Sequence, residues 1–150
     1  MNGYQIDIIP DDNDTFFVTC PALPEVTTFG ETREDVTINA VGAIEEALAS
    51  RLERWAEIPA LEDGTNVLEG RHFVPLPTQA VAKVLLYRLL RERGVTRAEL
   101  HRRLHVHREQ VDRLFRLDHA SRMDQFDAAF KALGVHLALT LEEDRSSKAA

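Results

Sequence analysis

The sequence predicts an α+β protein: a small antiparallel sheet covered by one long helix, followed by an all-helical unit that finishes in a strand. Three observations carry this. Apolar and polar residues alternate in short N-terminal runs separated by Pro, Asp and Asn, the pattern of half-buried strands joined by turns. From residue 32 onward the apolar residues recur every three or four positions instead, the period of helices packed on one side. Charge is also divided along the chain. Residues 1–77 hold four basic residues against fifteen acidic ones, a net of −11, whereas residues 78–150 hold fourteen against ten, a net of +4. That asymmetry implies two modules with different partners, placed at 1–76 and 77–142, with a disordered tail at 143–150.

With 150 residues, 44% hydrophobic and 29% charged, the chain is long enough for a substantial core and has the composition of a globular protein. No apolar run reaches the roughly 20 residues needed to cross a bilayer. Met1–Tyr4 lacks the basic and apolar sequence of a secretion signal. The single Cys20 excludes an internal disulfide and fits a reducing compartment. These features predict a cytoplasmic protein without a membrane partner.

Tyr4, Ile6 and Ile8 alternate with Gln5 and Asp7 as a first strand, and the polar turn Pro10–Asp14 leads into a second over Thr15–Cys20. After the break at Pro21–Pro24, Val26–Gly30 supplies a third strand of an antiparallel meander. Thr32 caps a long helix whose first turn carries Glu34 and Asp35, where the helix dipole favours acids. Its apolar stripe is Val41, Ile44, Leu48, Leu52 and Trp55, and Pro59 marks its end. Residues 61–70 read as an acidic loop, and His72–Pro77 as an edge strand kept from the sheet centre by its prolines.

Thr78 is the expected cap of a helix over 80–93 with Val81, Val84, Leu85 and Leu89 inward and Gly94 at its end. Thr96 caps the next helix and Glu99 completes a capping box. His105-Val106-His107 is too short for anything but a turn, and a further helix opens at Arg108 with Val111, Leu114 and Phe115 buried. Two short helices joined this way, the second with one apolar and one basic edge, form a helix-turn-helix of the repressor type. The alternative is an ordinary helical hairpin with a solvated charged face. Ser121 caps a last helix with Met123, Phe126, Phe130 and Leu133 inward, ended by Gly134. Val135, Leu137, Leu139 and Leu141 then alternate with His136, Ala138 and Thr140 as a terminal strand, which must pair with the first module or another subunit.

Three segments carry a family likeness: F-F-V-T-C-P-A-L-P-E-V-T-T-F-G-E-T-R-E-D-V (Phe16–Val36), V-P-L-P-T-Q-A-V-A-K-V-L-L (Val74–Leu86) and Q-V-D-R-L-F-R-L-D-H-A-S-R-M-D-Q-F-D-A-A-F-K-A-L-G (Gln110–Gly134). In this order and spacing they resemble the HicB antitoxins of bacterial HicA–HicB toxin–antitoxin pairs, in the helix-turn-helix subgroup. The resemblance implies a degraded RNase H-like N-terminal fold that binds and blocks HicA, a small basic ribonuclease that cleaves mRNA. It also implies a C-terminal domain that represses the operon encoding the pair. Two positions depart from the repressor pattern: His101 stands where alanine is usual, and His105 where glycine supplies a positive φ.

For DNA, His107, Arg108 and Glu109 lie at the start of the recognition helix, nearest the base edges. Arg108 and Arg113 are suited to bridging guanine O6 and N7, and Glu109 or Asp112 to accepting from cytosine N4. Thr96, Arg97, Arg116 and Arg122 are placed for phosphate. One such motif buries little surface, so a homodimer or higher oligomer on an inverted repeat is expected. For the toxin, the acidic edge Asp11, Asp12, Asp14, Glu25 and Glu31 is the expected contact. No cofactor is implied, and His101, His105 and His107, split across a turn, are not read as a metal site. Two other functions remain open. One is a stand-alone DNA-binding regulator whose N-terminal module oligomerises or senses a ligand. The other is an RNase H-like nuclease, for which Asp7 with Glu45 or Glu46 would have to converge on metal ions. Neither a nucleophile with its base nor a reactive setting for Cys20 is evident, and the chain is not read as an enzyme.

Overall fold

Strand β1 (Asn2–Pro10) is the one on which the N-terminal unit is assembled. The structure, a computed structural model, describes residues 1–143. Over its C-terminal half β1 pairs antiparallel with β2 (Phe16–Thr19), from Asp7↔Thr19 to Pro10↔Phe16, and β2 pairs in turn with β3 (Thr27–Gly30). Over its N-terminal half it pairs with β5 (His72–Pro75), from Gly3↔Pro75 to Ile6↔His72, and with the two-residue β4 (Glu62–Asp63). The sheet is therefore five-stranded and wholly antiparallel. The acidic stretch expected as a plain loop contributes β4, because Asn2 and Gly3 leave backbone groups for it to bond. Strand β5 pairs with β1 alone, the edge position its prolines require.

Helix α1 (Arg33–Glu53) covers one face of this sheet. Thr32 Oγ1 accepts from Asp35 N at 3.1 Å, and Asp35 Oδ2 accepts from Thr32 N at 3.1 Å, a reciprocal cap built with aspartate. The buried stripe is Val36, Ala40, Ile44, Ala47, Leu48 and Leu52, facing Tyr4, Ile6, Val18 and Val74 of the sheet. A Cβ on Gly30 would come within 2.6 Å of Val36, so only glycine lets the helix start so close to the end of β3. Cys20 is buried in the same core and burial pushes its thiol up, the setting of an unreactive side chain.

The helix ends before Pro59, and Trp55 is not on its stripe. The chain turns at Trp55, which has φ +54°, while Ala56 N donates to Arg51 O at 2.9 Å. This is a left-handed helix stop in the place glycine usually takes. Packing holds the conformation: the indole meets Tyr87 edge-on at 4.8 Å and Phe115 at 6.4 Å.

The second unit contains α2 (Thr78–Glu92), α3 (Arg97–Leu104), α4 (Arg108–Arg113) and α5 (Met123–Ala132). Pro77, not Thr78, occupies the cap of α2, and it offers no side-chain hydrogen bond. The stripe expected on α2 is also displaced. Ala80, Lys83, Val84 and Tyr87 are buried on one side and Ala82, Leu86 and Leu90 on another, whereas Val81, Leu85 and Leu89 are half-buried. The helix is enclosed nearly all round because it lies between the sheet unit and the other helices. Arg122, not Ser121, caps α5, and Met123 is 41% exposed while Phe126, Ala129 and Phe130 point inward. Ser121 instead exchanges two hydrogen bonds with the Gln79 amide, at 2.6 and 3.0 Å. Gly94 (φ +64°) and Gly134 (φ +74°) stop their helices in the left-handed region as expected.

The terminal strand does not form. Val135 and Leu137 are half-buried and His136 between them exposed, so the alternation holds over its first three residues, but among the described residues no strand pairs with 135–143. The segment runs extended beside α2 and the start of β1, with Leu139 67% and Leu141 fully exposed. Alternation fixes which side chains face inward; a strand also needs a partner edge. All but the first residue of the expected tail lies outside the described residues.

Candidate functional site

The expected site residues fall on two surfaces, and the first is built by α3, α4 and the turn between them. Thr96 accepts from Glu99 N at 3.1 Å, but only half of the expected box forms, because the Glu99 carboxylate is bonded to Arg103 one turn on. His105 takes φ +53° and ψ +38°, the left-handed conformation expected at the glycine position. Its backbone N–H and that of Val106 reach back to Arg102 O and His101 O, both at 3.3 Å, which closes α3. His107 then caps α4, with Gln110 Oε1 accepting from its backbone N–H at 3.3 Å. Leu100, Val111, Leu114 and Phe115 are buried beneath, so the pair of helices is held from below.

On the outside the structure brings together most, not all, of the expected nucleic-acid residues. His107, Arg108, Glu109 and Arg113 are exposed along α4. Arg108 lies 3.8 Å from Asp112, a contact of two mobile side chains on one helix face. Arg116 and Arg122 are exposed but each forks onto a neighbouring carboxylate, Asp118 and Asp124 respectively. Arg97 goes elsewhere. Its guanidinium lies 5.0 Å from the Trp55 ring and 4.9 Å from the Phe115 ring, Nη2 donates to Leu52 O at 2.7 Å, and Asp112 stands 3.9 Å away. Burial lowers its pKa, and Nε has no partner among the described residues. The expected phosphate ligand is thus a bracket between α1, α3 and α4, because the face of an indole holds the cation better than a surface position would.

Beneath this surface lies a residue the sequence reading passed over. Lys83 of α2 is fully buried, and its ammonium donates to the carbonyls of Arg113, Arg116 and His119 at 3.1, 2.5 and 2.6 Å. Those carbonyls belong to the end of α4 and the loop beyond it. One cation therefore gathers three carbonyls at and beyond a helix end, two of which, Arg113 O and Arg116 O, also accept long backbone hydrogen bonds. A signal existed in the sequence: Lys83 falls on the line Ala80, Val84, Tyr87, a charged residue at an inward position.

The second surface is the acidic unit. Asp11, Asp12 and Asp14 are exposed in the β1–β2 turn, which Asp11 N closes onto Thr15 O at 2.9 Å and where Asp14 takes φ +57°. Glu31 follows β3 and shares a cleft with Asp11 and Asp35. Glu25 lies at the other end of the β2–β3 hairpin, with both its oxygens on Arg51 at 2.6 and 2.9 Å. That bond holds its carboxyl below the usual range. The five expected acidic residues therefore do not form one edge. Nor does the sheet bring Asp7 to Glu45 or Glu46: Asp7 is on the face opposite the buried Tyr4 and Ile6, away from α1, and pairs with Arg71 at 3.1 Å.

The fold defines a mixed α/β protein, a five-stranded antiparallel sheet with five helices, whose first 77 residues are acidic and whose remainder is basic, and no helix among the described residues is long and apolar enough to cross a membrane. A profile of the family described as HicB_like antitoxin of bacterial toxin-antitoxin system matches residues 3–85. Antitoxin HicB of Pseudomonas fluorescens (strain Pf0-1) is 34% identical over 95% of this chain and 95% of its own. Antitoxin HicB 2 of Photorhabdus laumondii is 34% identical over 85% and 88%, and Antitoxin HicB of Escherichia coli (strain K12) 30% identical over 92% and 98%. The chain belongs to the HicB-like antitoxin family.

Proposed function

We propose that this protein is the antitoxin of a toxin–antitoxin pair and its own repressor. The RNase H-like sheet unit would bind and block a HicA-type mRNA-cleaving toxin, without catalysis of its own. The helix-turn-helix α3–α4 would bind an inverted repeat in the operon as a homodimer or higher oligomer. The observation that supports this most directly is electrostatic: the family's fold divides into a −11 and a +4 portion, each of the sign its partner requires. Around α4, His107, Arg108, Glu109 and Arg113 face bases, Asp112 is secondary, and Thr96, Arg116 and Arg122 meet phosphate. The Arg116 and Arg122 ion pairs are exposed and cheap to exchange.

The test is operator binding by Arg108→Ala and Arg113→Ala at fixed salt. Each should weaken binding by about 1–3 kcal/mol and relax base preference, with folding unchanged. Unaltered affinity in both would reject the placement of α4 in the groove. Suppression of mRNA cleavage by the toxin should survive both substitutions.

A further inference from the structure

The second face of the N-terminal sheet is covered at Gln5 by the loop after β4, which bonds it through Asn66 and Leu68, but where β1, β2 and β3 run together it leaves large apolar side chains exposed. Register places Ile9 opposite Phe17 and Phe17 opposite Phe29, so three large apolar side chains form a row across β1, β2 and β3. Their neighbours Ile8 and Val18 point the other way, toward α1. Ile9 and Phe29 are each 52% exposed, and the Phe17 and Phe29 rings lie 5.1 Å apart. At the end of the row, Phe29 borders the cleft holding Asp11, Glu31 and Asp35, and Asp12 and Asp14 crown the adjoining turn. An apolar centre with a charged rim is the anatomy of a protein interface.

We infer that this row, Ile9–Phe17–Phe29, is where the toxin docks, with the acidic rim steering it. The inference rests on the antitoxin reading and replaces Glu25, which Arg51 already holds. The sign of the rim selects the occupant: a small basic protein with an apolar patch flanked by Lys or Arg. Duplex is repelled by it. A second copy related by a two-fold axis would set one acidic rim against another, a like-charge contact that disfavours association.

Ile9→Thr and Phe29→Thr, alone and together in the full chain, keep strand propensity while removing the apolar surface. Circular dichroism and melting would check the fold, and calorimetry would titrate each with the purified HicA-type toxin that the antitoxin reading places beside the gene. Each single change should weaken toxin binding about tenfold and the pair about a hundredfold, with operator affinity unchanged. Asp11→Asn with Glu31→Gln should slow association chiefly at low salt. Wild-type toxin affinity in the double variant overturns the inference alone. So does toxin binding retained together with loss of self-association in sedimentation, which would assign the row to a second copy. A wild-type chain that fails to bind the toxin overturns the antitoxin reading itself.

Discussion

Lys83→Met tests whether a buried cation organises the end of α4. Methionine is close in length and lacks the charge, so the change removes three donated hydrogen bonds without opening a large cavity. Hydrogen bonds from a charged donor contribute about 1.5–3 kcal/mol each, which would sum to roughly 5–9 kcal/mol. Relief from burying an ammonium returns several kcal/mol of that. The carbonyls of Arg113 and Arg116 keep backbone donors at 3.3 and 3.4 Å, but His119 O loses its donor. The net expectation is destabilisation by about 2–3 kcal/mol, read as a fall in Tm of about 4–10 °C. Titration supplies a second readout. Burial pushes the ammonium down from its ordinary 10.5 to about 8, with Asp118 opposing and Arg116 adding to the shift. Between those values the unfolded chain holds a proton that the folded chain has released, so this group's contribution to stability rises with pH across the window, and its burial cost is complete below about pH 8. The variant should lack that rise. Equal or greater stability of Lys83→Met at pH 7, measured by urea denaturation, would refute the reasoning.

Arg97→Ala should act on folding: losing the stack on Trp55 and Phe115 and the bond to Leu52 O should cost about 2–4 kcal/mol by thermal denaturation, and the salt slope of operator binding should not change. A slope reduced by about one with stability intact would return Arg97 to the phosphates. His105→Gly relieves a non-glycine residue at φ +53° and should stabilise by about 0.5–1 kcal/mol in the same assay; a loss of stability would mean that the imidazole makes a contact worth more than the strain.

Backbone features were more legible in the sequence than side-chain commitments. Alternation at Tyr4–Ile8, the cap at Thr32, and the left-handed stops at Gly94, His105 and Gly134 follow from local physics, which a few neighbouring residues determine. Family membership was legible too, in segments that keep their order along the chain. Where a charged head goes is decided by residues far away. Arg97 turns inward because Trp55 and Phe115 wait there, and Glu25 is spent on Arg51, 26 positions on. Neither fact is visible in a window of the sequence. Trp55 misled for a related reason: it continues the helical spacing of Leu48 and Leu52, yet the helix stops first, and the indole is needed between the two units. The terminal alternation from Val135 described the side chains correctly only at Val135 and Leu137, since Leu139 and Leu141 are exposed, and the hydrogen-bonding partner wrongly.

The bracket at Arg97 has a mechanical consequence. A single guanidinium is bonded to the last turn of α1, wedged between rings from both units and leaning on Asp112 of α4. Tyr87 and Arg88 add their own bonds to the carbonyls of Ala56 and Ile58. A swivel between the two halves would have to break these together, so the angle between them is set like that of a welded elbow. Whatever sits on one arm therefore points in a direction dictated by what the other arm is holding.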